Sequence, residues 1–253
     1  MGKHSQTKKI ALDKILIKER LAEKLEEARP IIMAGKVIVN DHMIDKPGTL
    51  INPQSNIRIR GSSSKFVSRG GEKIEAPIDT FNIDIKNKTV IDVGSSTGGF
   101  TDCVLQKGAA LVYAVDVGYG QLAWKLQQDV RVKSFERKNI RDLEPAELDR
   151  SPDLAVIDAS FISLKKILPR VVSILNKDGE ILALIKPQFE AKKEEVETGG
   201  IVRDEKLYRE IIKDIVEESK KLSLIIAGIM ESPIKGQKGN REFFIYLKKC
   251  NII

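Results

Sequence analysis

The chain of 253 residues is long enough for one large domain, or for a medium domain joined to a small one. Its composition is ordinary for a globular protein, 42% hydrophobic and 31% charged, and Lys, Arg or Glu interrupts every apolar run short of a membrane span. The formal net charge of +7 is uneven: residues 1–73 hold 15 Lys/Arg against 8 Asp/Glu, and the other 180 hold 28 of each. A basic segment joined to a neutral remainder suggests delivery to a polyanion, most simply nucleic acid.

The start, Met1-Gly2-Lys3-His4-Ser5-Gln6, lacks the apolar core of a signal peptide, and Gln6 stands where myristoylation needs Ser or Thr. Cys103, Cys250, His4 and His42 make no disulfide or metal framework, so no metal site is predicted. These features predict a cytoplasmic protein.

Taken in order, residues 1–9 read as a polar tail. A helix is predicted over 11–18 and another over 23–33, where Pro30 is expected to kink or shorten it. Gly35 stops it. Val37-Ile38-Val39, a turn at Asn40-Asp41, Met43-Ile44 and an alternating run from Asn56 to Arg60 read as a small hairpin sheet. Gly61 to Lys65 reads as a linker. The expected division is a small domain over 1–60, a linker over 61–67 and a large domain over 68–253.

The large domain reads as strict α/β alternation. Val67-Ser68-Arg69-Gly70-Gly71-Glu72-Lys73 leads into a helix. Thr89 to Val93 is a buried strand, followed by Gly94-Ser95-Ser96-Thr97-Gly98-Gly99-Phe100 and a helix. Strand, glycine-rich turn and helix is how an open α/β sheet builds a cofactor site. No Gly-Lys-Ser/Thr follows, which excludes a nucleotide P-loop, and the spacing is not Gly-x-Gly-x-x-Gly. Asp92 inside the strand suits a cofactor with positive charge, such as S-adenosylmethionine; it would repel a pyrophosphate. The second strand, 110–115, ends in Asp116, placed to accept ribose hydroxyls. Further on, a helix is predicted over 119–127, a strand over 130–135, a strand over 153–158 and a helix over 162–175. A strand at 180–185 ends at Lys186-Pro187. A long polar loop, 188–203, reads as a lid or binding loop. A helix at 205–220 and strands at 222–230 and 243–248 close the domain, the last two joined by a basic connection over 233–240.

Polar residues at strand C-termini are where such sheets keep their chemistry. Asp158 follows the fourth strand, Lys186 the fifth, Glu242 precedes the last strand and Lys73 lies in the entry helix, and together they resemble the Lys-Asp-Lys-Glu tetrad of FtsJ-like ribose 2′-O-methyltransferases. That resemblance implies attack by a ribose hydroxyl, a weak nucleophile whose proton must be removed or polarised. A lysine beside another lysine has its charged form disfavoured, which suits a base. The reading makes Lys186 an unpaired base with Lys73 as its neighbour, and has Asp158 and Glu242 orient the lysines. Amine methylation fits worse, since Asp158-Ala159-Ser160-Phe161 is not Asp/Asn-Pro-Pro-aromatic. Cytosine C5 methylation needs a cysteine, and neither cysteine is placed for it.

The small domain, with Met33-Ala34-Gly35-Lys36-Val37-Ile38-Val39-Asn40 at its helix–sheet junction, resembles the S4 RNA-binding domain. It departs from that family at Ala11, Lys24-Leu25 and Asn40-Asp41. The resemblance implies phosphate contacts from Lys14, Lys18, Arg20, Arg29 and Lys36, to which Arg69 is added. With the tetrad, Asp92 to Asp102, Tyr113 to Leu122, Ile185 to Glu190 and Gly199 to Asp204, the whole chain resembles the TlyA family, often labelled hemolysin A.

That resemblance implies an S4 domain followed by a Rossmann-like methyltransferase domain with a mostly parallel seven-stranded sheet. It implies ribose 2′-O-methylation of ribosomal RNA at cytidine, in 16S rRNA, 23S rRNA or both, with S-adenosylmethionine as cofactor. The implied cofactor residues are Asp92, Gly94, Ser95, Ser96, Thr97, Gly98, Gly99, Phe100, Asp116, Val117, Asn139, Ile140 and Asp158. The expected partner is ribosomal RNA or a ribosomal subunit, with no membrane and no stable protein partner. The competing readings are an assembly factor without turnover and a membrane-lytic hemolysin.

Overall fold

The computed structural model describes residues 9–19, 21–22, 24–40, 42–60, 65–236 and 239–250. Arg20, Asp41 and the predicted linker positions Gly61 to Ser64 lie outside the described residues. The chain divides into two compact units, Met1–Ser64 and Lys65–Ile253.

In the first unit the elements run β1 (Ile10–Ala11), α1 (Leu12–Lys18), α2 (Leu25–Met33), β2 (Val37–Val39), β3 (His42–Ile44), β4 (Leu50–Ile51) and β5 (Ile57–Ile59). An antiparallel sheet of order β3-β2-β5 and a short β1-β4 pair accompany the two helices. Leu12, Leu16, Ala28, Ile32, Val37 and Val39 form the core. Helix α2 continues through Pro30. Proline forfeits the bond to the carbonyl four residues back, but Glu26 and Pro30 are both exposed, so that carbonyl lies on the solvent side.

The second unit runs α3 (Arg69–Thr80), β6 (Thr89–Val93), α4 (Gly99–Gln106), β7 (Leu111–Val115), α5 (Trp124–Gln127), β8 (Val132–Phe135), β9 (Leu154–Ile157), α6 (Leu164–Ile174), β10 (Glu180–Ile185), α7 (Pro187–Glu190), α8 (Glu205–Lys221), β11 (Leu224–Glu231) and β12 (Phe243–Lys249). Seven strands form one sheet of order β11-β12-β10-β9-β6-β7-β8, and β12 alone points opposite to the other six. This is the expected α/β class with a mostly parallel seven-stranded sheet. After β8 the chain crosses to the far side of β6 and forms β9, so the strand order reverses there. Such a reversal opens a crevice at the strand C-termini, where ligands bind.

Helices cover both faces. Ile91 and Val93 pack with residues of α6 and α8, while Val90 packs with residues of α3 and α4. This alternation turns Asp92 toward the α3–α4 layer. Among the described residues no helix is long and apolar enough to cross a membrane.

Three local expectations are corrected. The helix predicted over 119–127 exists only over Trp124–Gln127. Gly120 stands in the left-handed region at φ +64°, which a right-handed helix cannot include, and Glu136 Oε1 holds its N–H at 3.0 Å while Asp116 Oδ1 accepts the Gly118 N–H at 2.7 Å. The third strand starts at Val132 rather than Val130, because Asp129 turns the chain by accepting the Arg131 N–H at 2.9 Å. The polar stretch 188–203 is partly ordered: it contains α7, a 3₁₀ turn at Lys193–Glu195 and a bridge between Glu197 and Ile201. Asn240, fully buried, fastens its end by accepting the Val202 N–H at 2.9 Å and donating to Gly200 O at 2.8 Å.

Candidate active site

Three strands aim acids at the crevice. Asp92 lies within β6, Asp116 follows β7 and Asp158 follows β9. Asp92 is fully buried; its Oδ2 accepts the Thr101 N–H at 2.9 Å and the Thr101 hydroxyl at 2.6 Å, while its Oδ1 has no partner. Burial pushes its pKa up to about 7, opposed by the Thr101 bonds and reinforced by the negative charges of Asp158 and Asp116. Asp116 accepts the Ser96 N–H at 2.8 Å as well as the Gly118 N–H, which leaves each carboxylate oxygen a further lone pair.

The glycines make room chiefly for protein rather than for a ligand. A Cβ on Gly94, at φ +84°, would lie 2.9 Å from Asp158 O. One on Gly98 would meet Leu126 at 2.3 Å, and one on Gly99 would meet Ser68 Oγ at 2.3 Å and the Gly71 nitrogen at 2.9 Å. Close packing of α3 on α4 follows from these last contacts. Phe100 is buried in the same layer. Ser95 is buried, Ser96 is exposed at φ +46°, and Thr97 O accepts the Ala123 N–H at 3.2 Å. Asn139 caps a short 3₁₀ turn by accepting the Arg141 N–H, Ile140 is buried, and Val117 is 70% exposed.

The α3–α4 packing carries Lys73 to the strand ends. Its Nζ lies 2.7 Å from Glu242 Oε2, and both groups are withdrawn from solvent. Gln188 Nε2 donates to Glu242 Oε1 at 3.4 Å. Lys186 is the second centre: Nζ stands 2.6 Å from Asp158 Oδ1, donates to Ser160 Oγ at 2.9 Å and to Asp158 O at 3.3 Å. The Oδ1 contact is an ion pair without hydrogen-bond alignment, and that oxygen is buried. The lysines therefore do not stand unpaired beside one another, contrary to the sequence reading. Each has its own carboxylate, and Lys186 donates two hydrogen bonds, to Ser160 Oγ and Asp158 O, beside its ion pair with Asp158 Oδ1.

The predicted phosphate contacts sit differently. Lys14, Lys18 and Lys36 are exposed in the first unit. Arg29 is exposed as well, and its Nε donates to buried Asp13 at 3.1 Å. Arg69 is exposed at the start of α3.

Several residues escaped the sequence reading. Asp102 accepts the Val67 N–H at 2.8 Å and pairs with Lys125 at 2.8 Å, fixing the segment before α3. Ser160, Gln188 and Glu190 lie in the quoted strand-end motifs, but only contacts between strands reveal what they hold. Phe161, 90% exposed at φ +63°, has its ring 5.0 Å from that of Phe189.

The FtsJ-like methyltransferase family matches residues 66–249. The chain belongs to this family. Among relatives of this FtsJ-like chain, the 16S/23S rRNA (cytidine-2′-O)-methyltransferase TlyA of Mycobacterium tuberculosis is 38% identical, over 94% of this chain and 89% of its own. A candidate rRNA methyltransferase of Bacillus subtilis, YqxC, is 47% identical over 95% of this chain and 86% of its own. A solved structure of a candidate hemolysin from Streptococcus thermophilus superposes with a TM-score of 0.78 at 41% identity, covering 97% of this chain and 90% of that one.

An FtsJ-like enzyme takes its methyl group from S-adenosylmethionine, and the crevice fits that cofactor. Its acids and the orphaned Asp92 Oδ1 suit a ligand bearing an ammonium and a sulfonium, and oppose an anionic dinucleotide. Two expected results follow. Asp92 is neutral below about pH 7 and ionised above it. Cofactor affinity should therefore rise with pH through that value, by up to about ten-fold per unit below it. Calorimetry from pH 6 to 8 tests this: Asp92→Asn should flatten the profile, and a native profile as flat as the variant's would refute it. The sign for folding is opposite, because ionising buried Asp92 costs stability as pH rises through its folded pKa.

The second result concerns Gly71, where a Cβ would lie 2.2 Å from Phe66 Cγ. Phe66 is buried and cannot swing away, so α3 must lift. Gly71→Ala should cost about 1–3 kcal/mol, the scale of core overpacking. Thermal denaturation gives the answer, and an unchanged midpoint would show that α3 accommodates the methyl group.

Proposed function

We propose that this chain methylates the ribose 2′-hydroxyl of a cytidine in ribosomal RNA. The observation that carries the reading is the two lysine–carboxylate pairs, Lys73–Glu242 and Lys186–Asp158, beside a crevice suited to a cationic cofactor. The relatives named as rRNA cytidine-2′-O-methyltransferases support the choice of substrate.

S-adenosylmethionine would supply a methyl group on a sulfonium, an electrophile that needs no acid. The protein's work is to hold the hydroxyl in line and manage its proton. In this reading Asp158 accepts a hydrogen bond from the ribose hydroxyl through Oδ2, its Oδ1 being buried against the Lys186 amine. Lys186 acts as the base in its neutral amine form: having first given one ammonium proton to solvent, it takes the hydroxyl proton as the methyl group moves from sulfur to oxygen, and ends as the ammonium. Lys73 neutralises Glu242, so this buried acid is not left uncompensated. Gln188 holds the other oxygen of Glu242 and links the two pairs through Lys186-Pro187-Gln188.

The decisive experiment is incubation of ribosomal particles from a strain lacking this protein with radiolabelled S-adenosylmethionine, followed by mapping of the label. Label on a cytidine ribose supports the reading. Label on a base, or none with both subunits supplied, refutes it.

A further inference from the structure

Glu190 ends α7, four residues after Lys186, and the reaction as proposed does not use it. Both its oxygens are engaged: the Ser163 hydroxyl donates to Oε2 at 2.5 Å and the Leu164 N–H to Oε1 at 2.7 Å. Leu164 opens α6, and Ser163 already caps that helix by accepting the Lys165 N–H at 3.2 Å. The helix thus has a local cap and a second, charged one supplied from 26 residues away.

What the second cap adds is a tie between two strand-end turns. The turn from Asp158 to Ser163 passes through Phe161 in the left-handed region, which a bulky residue keeps only when its surroundings hold it. Besides the Asp158 N–H bond to Val93 O and the packing of Ala159 and Ile162 on the core, the side-chain ties to that turn come from Lys186 to Glu190. Lys186 holds Asp158 and Ser160, the Phe189 ring meets Phe161, and Glu190 holds Ser163 and Leu164. Burial raises the Glu190 pKa against the lowering effect of these same two bonds.

We propose that Glu190 is a positioning residue for methyl transfer, which anchors the Asp158–Ser163 turn so that Asp158 and Ser160 stay on the Lys186 amine. The inference rests on the reading of Asp158 and Lys186 as the groups that meet the ribose hydroxyl.

The test uses the full chain, with ribosomal particles as substrate and two kinds of readout. Glu190→Ala should slow single-turnover methyl transfer about 10- to 100-fold, the scale of a small misplacement of reacting groups. Cofactor affinity and the RNA KM should stay within about two-fold. Glu190→Gln should recover to within about five-fold of native, because an amide oxygen can accept the Leu164 N–H while its NH₂ donates to Ser163 Oγ. Hydrogen exchange, which needs no activity, should quicken at residues 159–164 in the alanine variant and leave the rest of α6 unchanged. Native rates in Glu190→Ala, a loss that falls on KM instead of rate, no recovery with glutamine, or unchanged exchange would each overturn the proposal. If the alanine variant does not fold, Ser163→Ala removes one of the two donors and should still slow transfer several-fold; a native rate there also overturns it. Failure of the native chain to methylate ribose would sink the functional reading by itself, and the exchange data would then decide whether Glu190 holds the turn.

Discussion

Replacing Lys186 with alanine is expected to slow methyl transfer by about two or more orders of magnitude, the usual scale for loss of a proton-transfer group. Cofactor and RNA affinity should hold within a few-fold. Lys186 ends β10 and precedes Pro187, so its backbone is held, and its amine meets Asp158 Oδ1, Asp158 O and Ser160 Oγ. Alanine removes the base at the reacting oxygen and leaves Asp158 without its counter-ion. Lys186→Arg should not restore the rate. A planar guanidinium cannot meet three oxygens arranged around one amine, and it cannot give up a proton near neutral pH. The measurement is single-turnover transfer at saturating RNA. A near-native arginine variant would reduce Lys186 to a fixed positive charge, and Lys73 would be next to test as proton acceptor.

Removing residues 1–64 is expected to abolish methylation of ribosomal RNA while cofactor affinity stays close to native. The segment carries 12 Lys/Arg against 7 Asp/Glu, most of the net charge of the chain. It is a compact unit with its own core, and Lys65 begins the second unit, which holds every strand of the seven-stranded sheet. The exposed phosphate candidates described there are Lys14, Lys18, Lys36 and Arg29, whose Nε is tied to Asp13. Four such contacts would give a log–log slope of RNA affinity on salt near about −3 to −4. Full activity of the truncated chain on RNA would overturn this division of labour, as would salt-independent RNA binding by the intact chain.

Much of the large unit is readable from local pattern. The run Glu180 to Ile185 has the bounds in the structure that its apolar, β-branched composition predicts, and the amphipathic stretch of α8 is displaced by one residue only. Both depend on side-chain periodicity, which the chain carries in itself. The failures arise where turns decide: residues 119–123 have helical spacing, yet Gly120 turns into the left-handed region with its N–H held by Glu136 from the far end of β8, and Asp129 delays β8 by a local turn.

The site divides in the same way. The chain by itself determined which residues stand at strand ends, and hence that Asp92, Asp116, Asp158, Lys186 and Glu242 have chemistry to do. Pairing was decided only by the tertiary structure. Lys73 and Glu242 are 169 residues apart, and they meet because α3 packs on α4 through glycines while β12 inserts beside β10. Glycine-rich sequence announced a turn, but only packing revealed that the space goes to Asp158, Leu126 and Ser68. Strand order and helix approach are set by burial summed over the whole sheet, and no local window contains that sum.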